Sequence, residues 1–172
     1  PERLETLMAI LANKPDIGLI GSYIEVIDQA DQRLGIKHGY QDLEPWPLDK
    51  PERSFRAGHN LHATLLTENY LSTTSNYLFR RKYYEQIGPF CPLRYAHDWD
   101  FALRLAALSQ LHLHPEPLLK YRVHPHNTIR ENQAAMIFEI CWCLAVHLPR
   151  QTMSSAIAPP SLEQHIDQLL HS

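Results

Sequence analysis

The chain has 172 residues, 44% hydrophobic and 20% charged, with a formal net charge of −3. That length is enough for one domain with its own core, and that composition excludes an intrinsically disordered chain. The slightly acidic balance offers no basic patch for nucleic acid, and no apolar run approaches the roughly 18 residues of a membrane span.

Taken in order, "PERLETLMAILANKP" places proline at a first-turn position and Leu4, Leu7, Met8 and Leu11 on one side, then stops at Pro15. That spacing predicts an amphipathic helix. "DIGLIGSYIEVID" is rich in Ile, Val and Tyr and predicts a buried strand ending at the turn-forming "DQADQRLG". Residues 41–58 carry three prolines and scattered charge and are expected to form a surface loop. "LSTTSNYLF" predicts a strand, "RRKYYEQIG" a short helix closed by Gly88, and "PFCPLRYA" a loop leading into a helix that runs to about Ser109. "LHLHPEPLLKYRVH" predicts two short extended segments separated by a proline turn, and "NQAAMIFEICWCLAVHL" a strongly apolar helix ending at Pro149. "SLEQ" opens a last short helix with a serine cap.

The cysteines, Cys91, Cys141 and Cys143, are an odd set, and Cys-x-Cys within an apolar helix fits neither a disulfide framework nor a zinc ribbon. A reducing, cytoplasmic compartment is expected. The chain begins at Pro1 and is helical within a few residues, as a piece of a longer polypeptide would be.

In "HDWDFALRLAAL" the residues Trp99, Ala102, Leu103 and Ala106 share an apolar face, and Asp100 and Arg104 form an i,i+4 pair with the acid first, a structural arrangement. Asp98 falls at the helix start. There a carboxylate can accept from free backbone N–H groups, which would cap the helix and lower its pKa, or it can take a proton from a substrate hydroxyl. The two roles are compatible, and spacing does not choose between them. His112 and His114, and likewise His124 and His126, are spaced as strand residues sharing a face, so each pair could offer two imidazoles to zinc or manganese; the alternative is plain solvated histidines. His97 and Asp98 are also similar to the histidine-aspartate dyad of metal-dependent phosphohydrolases, although those are all-helical and this sequence reads as mixed.

The order of "RLETLMAILANKPDIGLIGSYIEVIDQADQRLG", "SNYLFRRKYYEQIGPF", "HDWDFALRLA" and "LLKYRVHPHNTI" resembles the second half of a GT-A glycosyltransferase domain of the inverting family 2. The resemblance covers residues 1–130 and leaves 131–172 as a helical extension. It implies an α/β fold, the C-terminal part of a Rossmann-like GT-A domain with a mixed sheet and packed helices. It also implies sugar transfer with inversion from a nucleotide-sugar to a glycan or lipid-linked acceptor. Mn2+ or Mg2+ would be held mainly by acidic residues upstream of Pro1. Asp98 matches the general base of the family's Glu-Asp motif. His97 stands where that motif has an acid and is implied to contact acceptor or diphosphate. Trp99 matches an aromatic that packs under the acceptor or enters the core. Ser75 and Asn76 match a strand beside the sugar pocket, where strand polarity alone would also explain them. His124 matches the histidine of a Tyr-Arg-x-His stretch that contacts metal or diphosphate in some relatives, or is a histidine in a turn. Asp100 and Arg104 match residues that hold the helix and its loop, and Gly88 and Phe90 match a structural turn. A non-catalytic glycan-binding module is the alternative, and the phosphohydrolase a more distant one.

Overall fold

The computed structural model describes residues 2–37, 61–66, 68–125, 127–128 and 131–152. The expected loop at 41–58 and the expected last helix from Ser161 lie outside the described residues. The elements are helix α1 (Glu2–Asn13), strands β1 (Ile17–Ile27) and β2 (Arg33–Lys37), helix α2 (Leu61–Leu65), strand β3 (Leu78–Phe79), helices α3 (Arg81–Ile87) and α4 (His97–Ala106), strand β4 (Gln110–Arg122) and helix α5 (Gln133–Thr152). The expected mixed α/β class is what the chain adopts. No helix among the described residues is long and apolar enough to cross a membrane.

β1 is the hub of the sheet. β4 runs parallel to it, from Ile17 opposite Gln110 to Ile27 opposite Arg122. β2 and β3 pair with it antiparallel, β3 at Leu19 and Ile20 and β2 from Ile24 to Ile27. A strand flanked and covered in this way must be apolar almost throughout, and nine of the eleven positions of β1 are buried. The turn after β1 is built by Asp28, whose Oδ1 accepts the N–H groups of Ala30 and Gln32 at 2.8 Å. The chain is back in strand by Arg33, earlier than the turn composition predicts.

β4 corrects a second expectation: it is one strand, not two. The prolines do mark a break, because the partner of Ser22 is His114 and the partner of Tyr23 is Pro117, so the register jumps there. Proline lacks the N–H a ladder needs, and an irregularity of this kind accommodates it.

The main core joins β1 to α4 and α5 through Leu19, Phe101, Ala102, Leu103, Leu105, Cys143, Leu144 and Leu148. A smaller cluster joins β1 to α1 through Leu7, Leu11, Ile17 and Ile20. Burial of each Leu, Ile or Phe side chain contributes roughly 1.5–3 kcal/mol. Leu4 and Met8, expected on the same face of α1, are instead more than half exposed. α5, which the resemblance leaves beyond the transferase part, belongs to the main core and passes through Pro149 to Thr152. Gly88 ends α3 with φ of 79°, a conformation that favours glycine, and its N–H closes the helix on the Tyr84 carbonyl.

The segment expected as a strand from Leu71 to Phe79 is strand only at its last two residues; Thr74–Asn76 is a 3₁₀ turn. The reason lies in Asn76, which is fully buried. Its Oδ1 accepts the Ser22 N–H at 3.0 Å, and its Nδ2 donates to the Ser22 carbonyl at 2.9 Å and to the Leu71 carbonyl at 3.2 Å. Ser22 lies between the stretches of β1 paired with β3 and with β2, so the carboxamide supplies the backbone partner missing at that point. Gly21 makes room for it, because a Cβ there would lie 2.7 Å from Leu71 and 3.1 Å from Asn76 Nδ2. Asn76→Ala strands buried donors and acceptors at Ser22 and Leu71 and is expected to cost about 3 kcal/mol, measured by urea denaturation. Asn76→Asp, which turns the Nδ2 donor into an acceptor facing two carbonyls, should be at least as damaging.

Candidate functional site

α4 is joined to the start of β4 by three residues, so it runs back along β4 and points its N-terminus towards the C-terminal side of the parallel β1–β4 pair. Ligands of open α/β sheets bind on that side. His97 and Asp98 are the first two residues of α4.

Asp98 is 7% exposed and held from several directions. Its Oδ1 accepts the Trp99 N–H at 2.7 Å and the Asn69 amide at 3.2 Å, while its carbonyl accepts the Tyr77 hydroxyl at 2.9 Å. Burial is the dominant influence on its carboxyl and raises the pKa above the ordinary value. The charge of His97, the backbone N–H groups of Trp99 and of Asp98 itself, and Asn69 pull downward without cancelling it. The expectation that helix donors would weaken Asp98 as a base is therefore reversed.

His97 is half-buried; its Nε2 lies 3.2 Å from Thr74 Oγ1 and its ring meets the edge of Phe90 at a centroid distance of 6.2 Å. Its Nδ1 is buried without a hydrogen-bond partner. Asn69 belongs to a tight turn in which Ser72 takes the left-handed conformation, with φ of 67°; its Oδ1 accepts the Ser72 N–H at 3.2 Å. A non-glycine residue held there costs of order 1–3 kcal/mol and is tolerated where the surroundings fix it.

The cap of α4 comes from another helix. Ala96 is at the N-cap and has no side-chain acceptor to offer. Glu139 of α5 fills the role, accepting the N–H groups of Arg94 at 2.9 Å, Tyr95 at 2.6 Å and Ala96 at 3.0 Å. Partial burial works against its ionisation, but these donors and the charge of His97 outweigh it and hold its pKa below the usual carboxylate value. Asp98 is thus freed from being the sole cap, although its Oδ1 still accepts the Trp99 N–H.

Trp99 is a core residue, 6% exposed, with its indole N–H donating to the Leu65 carbonyl at 2.7 Å. Asn76 is the buried clamp described above, and Ser75 is exposed beside it. His124 is half-buried just past the end of β4, its N–H bonded to the Asn127 side chain. His112 and His114 lie close enough together that the charge of His114, after burial and Lys14, depresses the pKa of His112. His126 is outside the described residues.

Two residues along α4, Asp100 faces the other way and has a different set of partners. Arg104 grips its Oδ2 with Nε at 2.9 Å and Nη2 at 2.8 Å, and His147 Nε2 is 2.9 Å from its Oδ1. Burial opposes ionisation, but the hydrogen bonds from His147 and Cys91 and the charge of Arg104 bring its pKa to about 2. Arg104 also donates to the carbonyls of Ile87 at 2.7 Å and Pro89 at 3.0 Å, so this pair ties the 87–89 loop to α4. Among the described residues, one group of three or more metal-ligating side chains converges: Asp100, Cys143 and His147. Sequence reasoning passed over it, although Cys143 and His147 are spaced i,i+4 on a helix and so share a face. Asn69 and Glu139 were missed as well, and only their contacts across the fold mark them.

In comparisons with known proteins, no family model matches the chain and no curated protein is significantly similar to it.

Glu139→Ala removes three charge-assisted bonds at the start of α4 and is expected to cost about 1–2 kcal/mol in denaturant unfolding. Because the folded-state pKa of Glu139 is depressed, its contribution is present above the ordinary carboxylate range and is lost as pH falls through the folded value. The gap between wild type and variant should accordingly close on acidification.

Proposed function

We propose that this chain forms the acceptor side of an inverting nucleotide-sugar glycosyltransferase of the GT-A kind, with Asp98 as the general base. The observation that carries this reading is the placement of Asp98. Its carboxylate is buried, pinned at a helix N-terminus on the C-terminal side of parallel strands, with an elevated pKa beside a half-buried histidine. The chain order of the motif segments agrees with it.

In such a reaction the acceptor hydroxyl gives its proton to the Asp98 carboxylate as its oxygen bonds to the anomeric carbon of the donor sugar. The bond from that carbon to the nucleoside diphosphate breaks on the opposite face, which inverts the configuration. A carboxyl raised above its ordinary pKa is a stronger base than one in water, and its fixed position limits the reorganisation needed. Asn69 and the Trp99 N–H orient the acid, and Tyr77 fixes the backbone that carries it. In this reading His97, whose ring meets Thr74, contacts the acceptor or the departing diphosphate.

Mn2+ or Mg2+, the ion the resemblance implies, needs several oxygen ligands. Around Asp98 the described residues offer Asp98 itself and Glu139, whose oxygens are engaged by backbone N–H groups. These residues do not make a site for that ion, and no step is assigned to it.

Asp98→Asn keeps the shape and an acceptor oxygen while removing the base. In the longest natural polypeptide carrying this sequence, transfer from a panel of nucleotide-sugars to glycan acceptors should fall by about 10²–10⁴-fold with donor binding retained. Undiminished turnover in the variant would sink the assignment. Glycan binding with no donor turnover by the wild type would favour the non-catalytic module.

A further inference from the structure

We propose that Asp100, Cys143 and His147 form a buried binding site for a divalent cation of the zinc class, distinct from the Asp98 site and independent of the transferase reading.

The donor atoms of the first three residues lie within 4.8 Å of one another, and all three residues are buried. Tetrahedral zinc, with bonds of about 2.0 Å to nitrogen or oxygen and about 2.3 Å to sulfur, sets its ligand atoms roughly 3.3–3.8 Å apart. His147 Nε2 and Asp100 Oδ1 are 2.9 Å apart. They need to separate by only about 0.4 Å to admit the ion between them. Three protein donors leave the fourth position of a tetrahedral ion to water.

Chemistry and scaffold agree with this geometry. A sulfur, an imidazole and a carboxylate suit a borderline cation and not a hard one such as Mg2+. Cys143 and His147 present their donors from one face of α5, and Asp100 reaches them from α4. His147 coordinates as a neutral imidazole, and the Cys143 thiol releases its proton to solvent on binding. One thiolate and one carboxylate balance the charge of the ion, and the Arg104 guanidinium grips Asp100 Oδ2. Arg104 thus plays the outer-shell part that orients a ligating carboxylate. A buried His–Asp–Arg network alone would need no sulfur, and a methyl-bearing side chain would fill the place of Cys143 as well. Bound there, the ion would cross-link α4 and α5, the framework on which His97 and Asp98 stand.

The test is a titration of the reduced, chelator-treated chain with Co2+ and then Zn2+. One equivalent of Co2+ should produce thiolate-to-cobalt charge-transfer absorption that Zn2+ abolishes, and Zn2+ should raise Tm by several degrees. Cys143→Ser should remove the absorption. His147→Gln, which keeps a hydrogen-bond donor to Asp100 and so preserves the fold, should weaken binding by at least about 100-fold. Cys141→Ser, at an exposed position two residues from Cys143, should change nothing. Absence of the cobalt–thiolate band, a band that depends on Cys141 instead of Cys143, or binding that His147→Gln leaves intact would each overturn the proposal.

Discussion

The carboxamide of Asn76 against the backbone of Ser22 is the contact on which most of the candidate site depends. Two short strands share one edge of β1 and leave Ser22 between them. Unpaired peptide groups at the centre of a core are expensive, so something must close the gap, and a side-chain amide offers both a donor and an acceptor in the right arrangement. The clamp fixes the 69–77 segment on the sheet. From that segment Asn69 reaches the Asp98 carboxylate, Tyr77 its carbonyl, and Thr74 the ring of His97. A strand in the same place would have satisfied Ser22 but would not have bent to deliver those three groups.

The two aspartates of α4 show how environment separates identical side chains. Residues two apart on a helix point in different directions. Asp98 meets amides and a neighbouring histidine, and burial prevails, so its proton affinity rises. Asp100 meets Arg104 and His147, and its affinity falls to about 2. The first is suited to accept a proton and the second to remain a fixed anion. Glu139 completes the division of labour: by taking the N–H groups at the helix start, it relieves Asp98 of the sole duty of capping.

α5 is therefore more than a cover for the core. It contributes Glu139 to the start of α4, His147 to Asp100, and Cys143, Leu144 and Leu148 to the interior. Removing it would expose apolar surface and leave the Asp100–Arg104 pair without a partner on one side. This coupling links the helical C-terminal part to the geometry of a site whose residues all precede it in the chain.

What the sequence determined alone is what is local. The periodicity of α4, the Asp100–Arg104 spacing and the glycine that closes α3 follow from neighbours within a helical turn, and each is found in the structure. The central strand was legible from its richness in Ile, Val and Tyr, because burial on both faces favours such residues. What only the tertiary structure decided rests on partners far apart in the chain. Asn76 read as one polar residue among several in a strand until its contact with Ser22, 54 residues away, ended the strand and clamped the loop. Glu139 and Ala96 are separated by 43 residues, and His147 and Asp100 by 47, so no local pattern could announce the cap or the Asp–Cys–His cluster. Local sequence sets which backbone conformations are cheap; which charges end up buried together is settled only when the sheet and the two helices close on one another.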